Sequence, residues 1–175
     1  FVTGAETIPP INQEYGTALI EPEAPTLEGH EFAGWYLDST YTKPYTFPET
    51  MPAENIKLYA RWTINNYQLI YQVDGGVYQI NSIPFGSDII LPENPEKIGH
   101  TFLGWDGLPD TMPATDVTVN AIFTVNSYRA IYFVDGEEYY SENIKFGMEI
   151  TPLSDPVKTG YTFSGWSEIP LTMPA

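Results

Sequence analysis

The sequence predicts a mostly β fold, α+β if short helices occupy its loops, built as a tandem array of small modules. Three observations carry that prediction. One block of residues returns every 61 positions, apolar residues alternate with polar ones along several short runs, and 14 Gly and 16 Pro punctuate the 175 residues. Gly and Pro at that density work against long helices, because Gly is entropically costly in a helix and Pro lacks the N–H that a helix uses.

The repeat is read from its anchors. Met51-Pro52-Ala53, Met112-Pro113-Ala114 and Met173-Pro174-Ala175 are spaced by 61 residues, as are Asp74-Gly75 and Asp135-Gly136, and Phe85-Gly86 and Phe146-Gly147. The block Gly99-His100-Thr101-Phe102-Leu103-Gly104-Trp105 returns as Gly160-Tyr161-Thr162-Phe163-Ser164-Gly165-Trp166. Its first copy, Gly29-His30-Glu31-Phe32-Ala33-Gly34-Trp35, lies 70 residues before the second, as Tyr15-Gly16 does before Phe85-Gly86. The nine extra residues therefore fall between Tyr36 and Thr50. A period of 61 exceeds the roughly 20–45 residues of solenoid repeats, so each copy is expected to be a small domain. Such a unit is marginal, burying only about 60% of its unfolded surface.

Period-2 alternation places the strands. Ile56, Leu58, Ala60 and Trp62 alternate with Lys57, Tyr59 and Arg61, and Val117, Val119, Ala121 and Phe123 do so with Thr118, Asn120 and Ile122. One buried face per strand is the physical reading. Tyr67, Leu69, Tyr71 and Val73 give another strand, ending at the hairpin signal Asp74-Gly75, with Val77 to Ile83 returning. Thr101 to Trp105 reads as a further short strand. The Met-Pro-Ala element is compatible with one helical turn, since Pro suits a first helical position, and a short helix is compatible with Pro92 to Lys97.

Two cuts of the repeat are open. One ends a module with Val117 to Phe123 and sets modules at 1–64, 65–125 and 126–175; the other gives 54–114 and 115–175. The polar links Ile64-Asn65-Asn66 and Val125-Asn126-Ser127 favour the first. On that cut the first copy lacks most of its first strand and the third its last. Phe1 is no natural start, so the sequence is expected to be a segment of a longer protein.

Seven Lys and Arg against 23 Asp and Glu give a net charge of −16. That charge repels phosphate backbones and anionic head groups, which argues against nucleic acid or a membrane surface as partner. No apolar run approaches the ~20 residues of a membrane span. Absent cysteine excludes thiol catalysis and Cys-based metal sites.

Catalytic constellations do not assemble. His30 and His100 share one repeat slot that holds Tyr161 in the third copy, as expected of an amphipathic packing position. Asp106 and Asp110 become Ser167 and Leu171, so no carboxylate pair recurs. No nucleophile elbow, phosphate loop, dinucleotide fingerprint or calcium loop is present. Lys97 and Lys158 recur but Leu27 fills their slot in the first copy, which favours an exposed lysine over an intramolecular crosslink. The chain is expected to be no enzyme and to use no cofactor or metal.

The ordered set Tyr67…Asp74-Gly75, Phe85-Gly86, Gly99 to Trp105, Met112-Pro113-Ala114 and the closing Ala121 and Phe123 resembles the Listeria–Bacteroides repeat, akin to the B-repeat of internalins. The resemblance covers essentially the whole chain in three passes. It implies β-grasp (ubiquitin-like) modules, strung like beads along a bacterial extracellular or cell-surface protein as a stalk or as an adhesive segment. A protein or glycan at the surface is the implied partner in the adhesive case.

Aromatic residues supply the candidates for core and for binding. Phe32 with Trp35, Phe102 with Trp105, and Phe163 with Trp166 read as one core pair per module, joined in the first by Trp62. Gly before each of these Trp points to close backbone approach or unusual dihedrals. Tyr36, Tyr41 and Tyr45 lie in the insertion unique to the first copy and form the candidate binding loop.

Overall fold

The computed structural model describes residues 1–175 as an all-β chain with nine strands. They are β1 (His30–Tyr36), β2 (Pro44–Tyr45), β3 (Tyr59–Ile64), β4 (Asn66–Val73), β5 (Gly76–Pro84), β6 (His100–Asp106), β7 (Val117–Val125), β8 (Ser127–Val134) and β9 (Glu137–Lys145). Three sheets result, ordered β2-β1-β3, β5-β4-β7-β6 and β8-β9. The contacts divide the chain into two compact units. One comprises Phe1–Ile70, Gln79–Leu91 and Leu108–Thr118, the other Tyr71–Tyr78, Pro92–Gly107 and Val119–Ala175.

No helix forms, which removes the α component of the expected class. The Met-Pro-Ala elements form no helical turn. The Thr before each makes an isolated antiparallel bridge, Thr50 with Ala18, Thr111 with Asp88 and Thr172 with Glu149, and backbone bonds of the methionines lock the pairing. Gly16, Gly86 and Gly147 donate their N–H to the carbonyls of Met51, Met112 and Met173 at 2.9, 2.8 and 2.9 Å. Those methionines donate back to Thr17, Ser87 and Met148 at 2.9, 3.0 and 2.8 Å. Each aromatic-Gly turn is thereby stitched to its own Met-Pro segment. The stretch Pro92 to Lys97 forms no helix either, Pro92 and Pro95 being unable to donate to a helical ladder.

The hairpins follow from their turn residues. Asp74 and Gly75 have φ of 50° and 81°, and Asp135 and Gly136 have 52° and 86°. Two consecutive positive φ values give a turn whose twist matches that of the flanking strands. Lys97 and Lys158 reach back to these turns, pairing with Asp74 and Asp135 at 2.6 Å each. Both pairs are solvent-accessible, so each contributes at most about 1 kcal/mol.

A bulge explains the Gly-Trp motif. Phe32 and Trp35 are three residues apart, a spacing that sends side chains to opposite faces of a regular strand. The β1–β3 register shifts between Phe32 and Trp35, and the β6–β7 register shifts between Phe102 and Gly104. Gly34 and Gly104 carry the shift with φ of 107° and 149°. One extra residue restores both rings to the same face.

Candidate functional site

In the first unit the core gathers around Trp35, Leu58 and Ala60, all buried, with Phe1, Ile8, Phe32, Tyr45, Phe47, Ile56 and Trp62 packed against them. Phe32 lies 5.2 Å from Trp35 and 5.6 Å from Trp62, both edge-on, and Phe1 lies 5.0 Å from Trp35. The Trp62 indole donates to the Thr3 carbonyl at 2.7 Å. In the second unit Phe102 and Tyr71 lie 5.3 and 4.8 Å from Trp105, and Phe163 and Tyr132 lie 5.1 Å each from Trp166. Tyr71 is fully buried, whereas Trp105, Trp166, Phe102 and Phe163 are half-buried. The edge-to-face arrangement is the one that the ring quadrupoles prefer.

The insertion does not act as one loop. Its three tyrosines part company: Tyr45 packs against the core, Tyr36 is half-buried on the opposite side of β1 from Trp35, and Tyr41 is exposed. Tyr45 sits on β2, opposite Trp35, and packs edge-on against Phe47 at 5.2 Å. Burial, with the Glu54 charge as a lesser cause, pushes its phenol above the ordinary value. The insertion thus adds a strand beside Trp35 and helps to leave that residue only 3% exposed.

Tyr36 and Tyr41 meet edge-on at 5.6 Å, and Arg61 donates to the Tyr36 hydroxyl at 3.1 Å with its guanidinium 5.6 Å from the same ring. Asp38 builds the loop that presents them. Its carboxylate accepts the N–H groups of Thr40, Thr42 and Lys43 at 2.8 to 3.2 Å, and the Thr40 hydroxyl as well. These donors, the Thr40 side chain first among them, hold the Asp38 carboxyl well below the usual carboxylate range, against a smaller desolvation effect. Tyr41 takes its place in the turn with a positive φ of 56°, uncommon for an aromatic residue. The outcome is a small aromatic-cationic corner on an otherwise acidic chain, suited to stacking or hydrogen bonding and lacking any nucleophile or acid–base pair.

The residues that a metal or acid–base reading would use stay apart. His30 and His100 each donate Nδ1–H to a carbonyl of their own loop, Glu28 and Ile98, at 2.8 Å. No three His, Asp or Glu side chains converge as a metal cluster. No helix is long and apolar enough to cross a membrane.

Comparison with known proteins agrees with the three-fold reading. The profile of the Listeria-Bacteroides repeat domain matches residues 1–61, 67–126 and 128–169. The chain belongs to the Listeria-Bacteroides repeat family. It is 35% identical over 176 residues to a protein of Evansella cellulosilytica named as Gly-rich and membrane, covering 93% of this chain and 20% of that protein. A second Evansella protein, also named as a membrane protein, is 34% identical over 93% of this chain and 26% of its own length. Internalin H of Listeria monocytogenes is 38% identical over 117 residues, 61% of this chain and 21% of the internalin. The repeat array thus spans about a fifth to a quarter of each of these relatives.

Proposed function

We propose that this Listeria-Bacteroides repeat array is a non-catalytic stalk of a bacterial cell-surface protein, lying outside the cell and spacing another part of that protein from the surface. The modules would be residues 1–64, 65–125 and 126–175, each a β-grasp plan in which an extended loop replaces the helix. One observation carries the reading: the links between copies are short and tied on both sides. Asn65 donates its N–H to the Gly29 carbonyl and accepts from Phe85 N–H, both at 2.9 Å. Asn126 repeats this with Gly99 and Phe146 at 2.8 and 2.9 Å. A link whose backbone is hydrogen-bonded to both neighbours cannot swivel like a flexible linker. A stalk needs that property, because reach then grows with copy number. The relatedness to an internalin and to proteins named as membrane proteins supports the surface location.

The test is a spin-label distance measurement on the full chain, whose lack of cysteine makes labelling clean. Labels at Glu49→Cys with Gln79→Cys, and at Glu93→Cys with Glu137→Cys, each pair spanning one link, should give narrow distance distributions. Broad distributions would replace the stalk by a flexible tether.

An adhesive role is the second reading, favoured by the Tyr36–Tyr41–Arg61 corner that only the first copy carries. Binding of the full chain to a glycan array, abolished by Tyr41→Ala with the melting temperature unchanged, would establish it. No binding at all would leave the stalk alone.

A further inference from the structure

The aromatic of each Phe-Gly turn does not point into its own core. A Cβ placed on Gly29 would lie 2.2 Å from Cγ and Cδ1 of Phe85, and one placed on Gly99 would lie 2.1 Å from Cγ of Phe146. In each case the ring of one copy occupies the space that a side chain on a glycine of the copy before it would fill. The next residue frames the ring: His30 meets Phe85 edge-on at 5.9 Å, and His100 meets Phe146 at 5.8 Å. Each imidazole is oriented by its bond to the Glu28 or Ile98 carbonyl. Gly29 and Gly99 are buried, and both have positive φ, 68° and 70°.

We propose that this glycine corner is a docking surface whose partner is a neighbouring copy of the same module, with the ring of the Phe-Gly turn as the inserted group. The proposal rests on the stalk reading and deepens it, naming the side-chain contact that sets one copy against the next. Three features support it. The contact occurs twice with the same residue types, at glycines 70 residues apart and rings 61 apart, so the nine-residue insertion leaves it intact. The Asn65 and Asn126 backbone bonds tie together the same two residues, glycine and Phe, that the ring contact joins. The stitching of Gly86 to Met112, and of Gly147 to Met173, fixes the backbone of the turn that carries each ring.

The third copy supplies an internal reference. Gly160 has the same left-handed conformation, φ 80°, but is exposed and has no atom within 4 Å of a built Cβ. Gly→Ala therefore meets a left-handed backbone at all three corners and a steric clash at only two. The third corner lies in a segment with no strand partner and can relax, so removal of the ring itself is the second control.

The experiment compares Gly29→Ala, Gly99→Ala and Gly160→Ala in the full chain by thermal unfolding. Gly29→Ala and Gly99→Ala should lower the midpoint by more than about 4 °C beyond the effect of Gly160→Ala, a shift that corresponds to roughly a kilocalorie in a domain of this size. Phe146→Ala is then combined with Gly99→Ala. With the ring gone, most of the cost of Gly99→Ala should disappear and only its backbone strain remain, so the pair should be strongly non-additive. If Gly99→Ala alone fails to fold, folding of the double variant shows the same relief. Equal shifts at the three glycines, or additive effects of Gly99→Ala and Phe146→Ala, would overturn the docking surface. Narrow spin-label distances alongside such a result would leave the stalk reading standing on the Asn links alone.

Discussion

Residues 100–106 and 161–167 carry one motif in two states. In the second copy it is β6, paired along its length with β7: His100 opposite Val125, Phe102 opposite Phe123, Trp105 opposite Ala121. In the third copy the same motif, Gly160-Tyr161-Thr162-Phe163-Ser164-Gly165-Trp166, forms no strand. Within the 175 residues no later segment carries the alternation of Val117 to Phe123, so the motif has no partner strand there. What survives without the ladder is the aromatic cluster. Phe163 and Tyr132 hold Trp166 at 5.1 Å, close to the 5.3 and 4.8 Å at which Phe102 and Tyr71 hold Trp105. Strand character is thus a property of the pair, whereas the Phe-x-Gly-Trp packing is local to the motif and the hairpin beneath it.

The first way to break this comparison is to remove the tryptophans. Trp105→Ala should cost about 3–5 kcal/mol, the range for deleting a large aromatic from a packed site. Trp166→Ala should cost clearly less. A cleft of about 320 Å³ lined by Tyr132, Ile150, Trp166 and Met173 already admits solvent beside it, so less apolar surface is returned to water. Denaturant unfolding followed by the remaining tryptophans measures both. Equal losses would mean that the unpaired motif is as well packed as the paired one.

The same contrast shows what is legible in a sequence. β4 is legible because Tyr67, Leu69, Tyr71 and Val73 alternate strictly, and Leu69 and Tyr71 are fully buried where that alternation puts them. The hairpins are legible because Asp-Gly carries its own dihedral preference. The Gly before each Trp signals an unusual backbone, but the bulge follows only from asking how two rings three residues apart can share a face. Met-Pro-Ala is ambiguous locally: Pro serves a helix start or an extended bridge equally well, and the deciding partner, the aromatic-Gly turn, is remote in sequence. The glycine corner is hidden for a related reason, since its two halves belong to different copies. The one signal for it is that Phe85-Gly86 and Phe146-Gly147 recur outside every alternating run. The insertion is the least legible stretch, because nothing in its composition separates Tyr45, which packs against the core, from Tyr41, which is exposed.

A sharper probe than tryptophan deletion is the bulge glycine. Gly104 and Gly165 have φ of 149° and 123°, and neither has an atom near a built Cβ, so Gly→Ala imposes backbone strain alone. Held in register by β7, Gly104→Ala should cost about 1–3 kcal/mol, the usual range for a residue in such a region. Gly165→Ala should cost less, since the unpaired segment can relax its dihedrals without breaking a ladder. The melting temperatures of the two variants decide. A larger loss at Gly165 would show that the local aromatic packing, and not the strand pairing, demands the bulge.

The smallest expected effect concerns the hydroxyls of Tyr71 and Tyr132, where the two copies should behave alike. Both side chains are buried, and neither hydroxyl has a hydrogen-bond partner. Burial pushes the Tyr71 phenol above its ordinary value, the direction expected when the charged form has no compensating contact. The first copy places Phe1 in the same slot, 5.0 Å from Trp35, and so fills the position with a ring that has no hydroxyl to desolvate. Leaving a buried polar group unsatisfied costs about 1–3 kcal/mol, while a neutral hydrogen bond, where one is made, returns only about 1. Tyr71→Phe and Tyr132→Phe should therefore leave stability unchanged or raise it by up to about 1 kcal/mol, keeping the ring contact and removing the orphaned oxygen. Strand pairing should not matter here, because β4 and β8 are both paired in hairpins. A loss on Tyr71→Phe confined to the second copy would reveal a partner for that hydroxyl that depends on β7, and would make the closing strand responsible for more than the ladder.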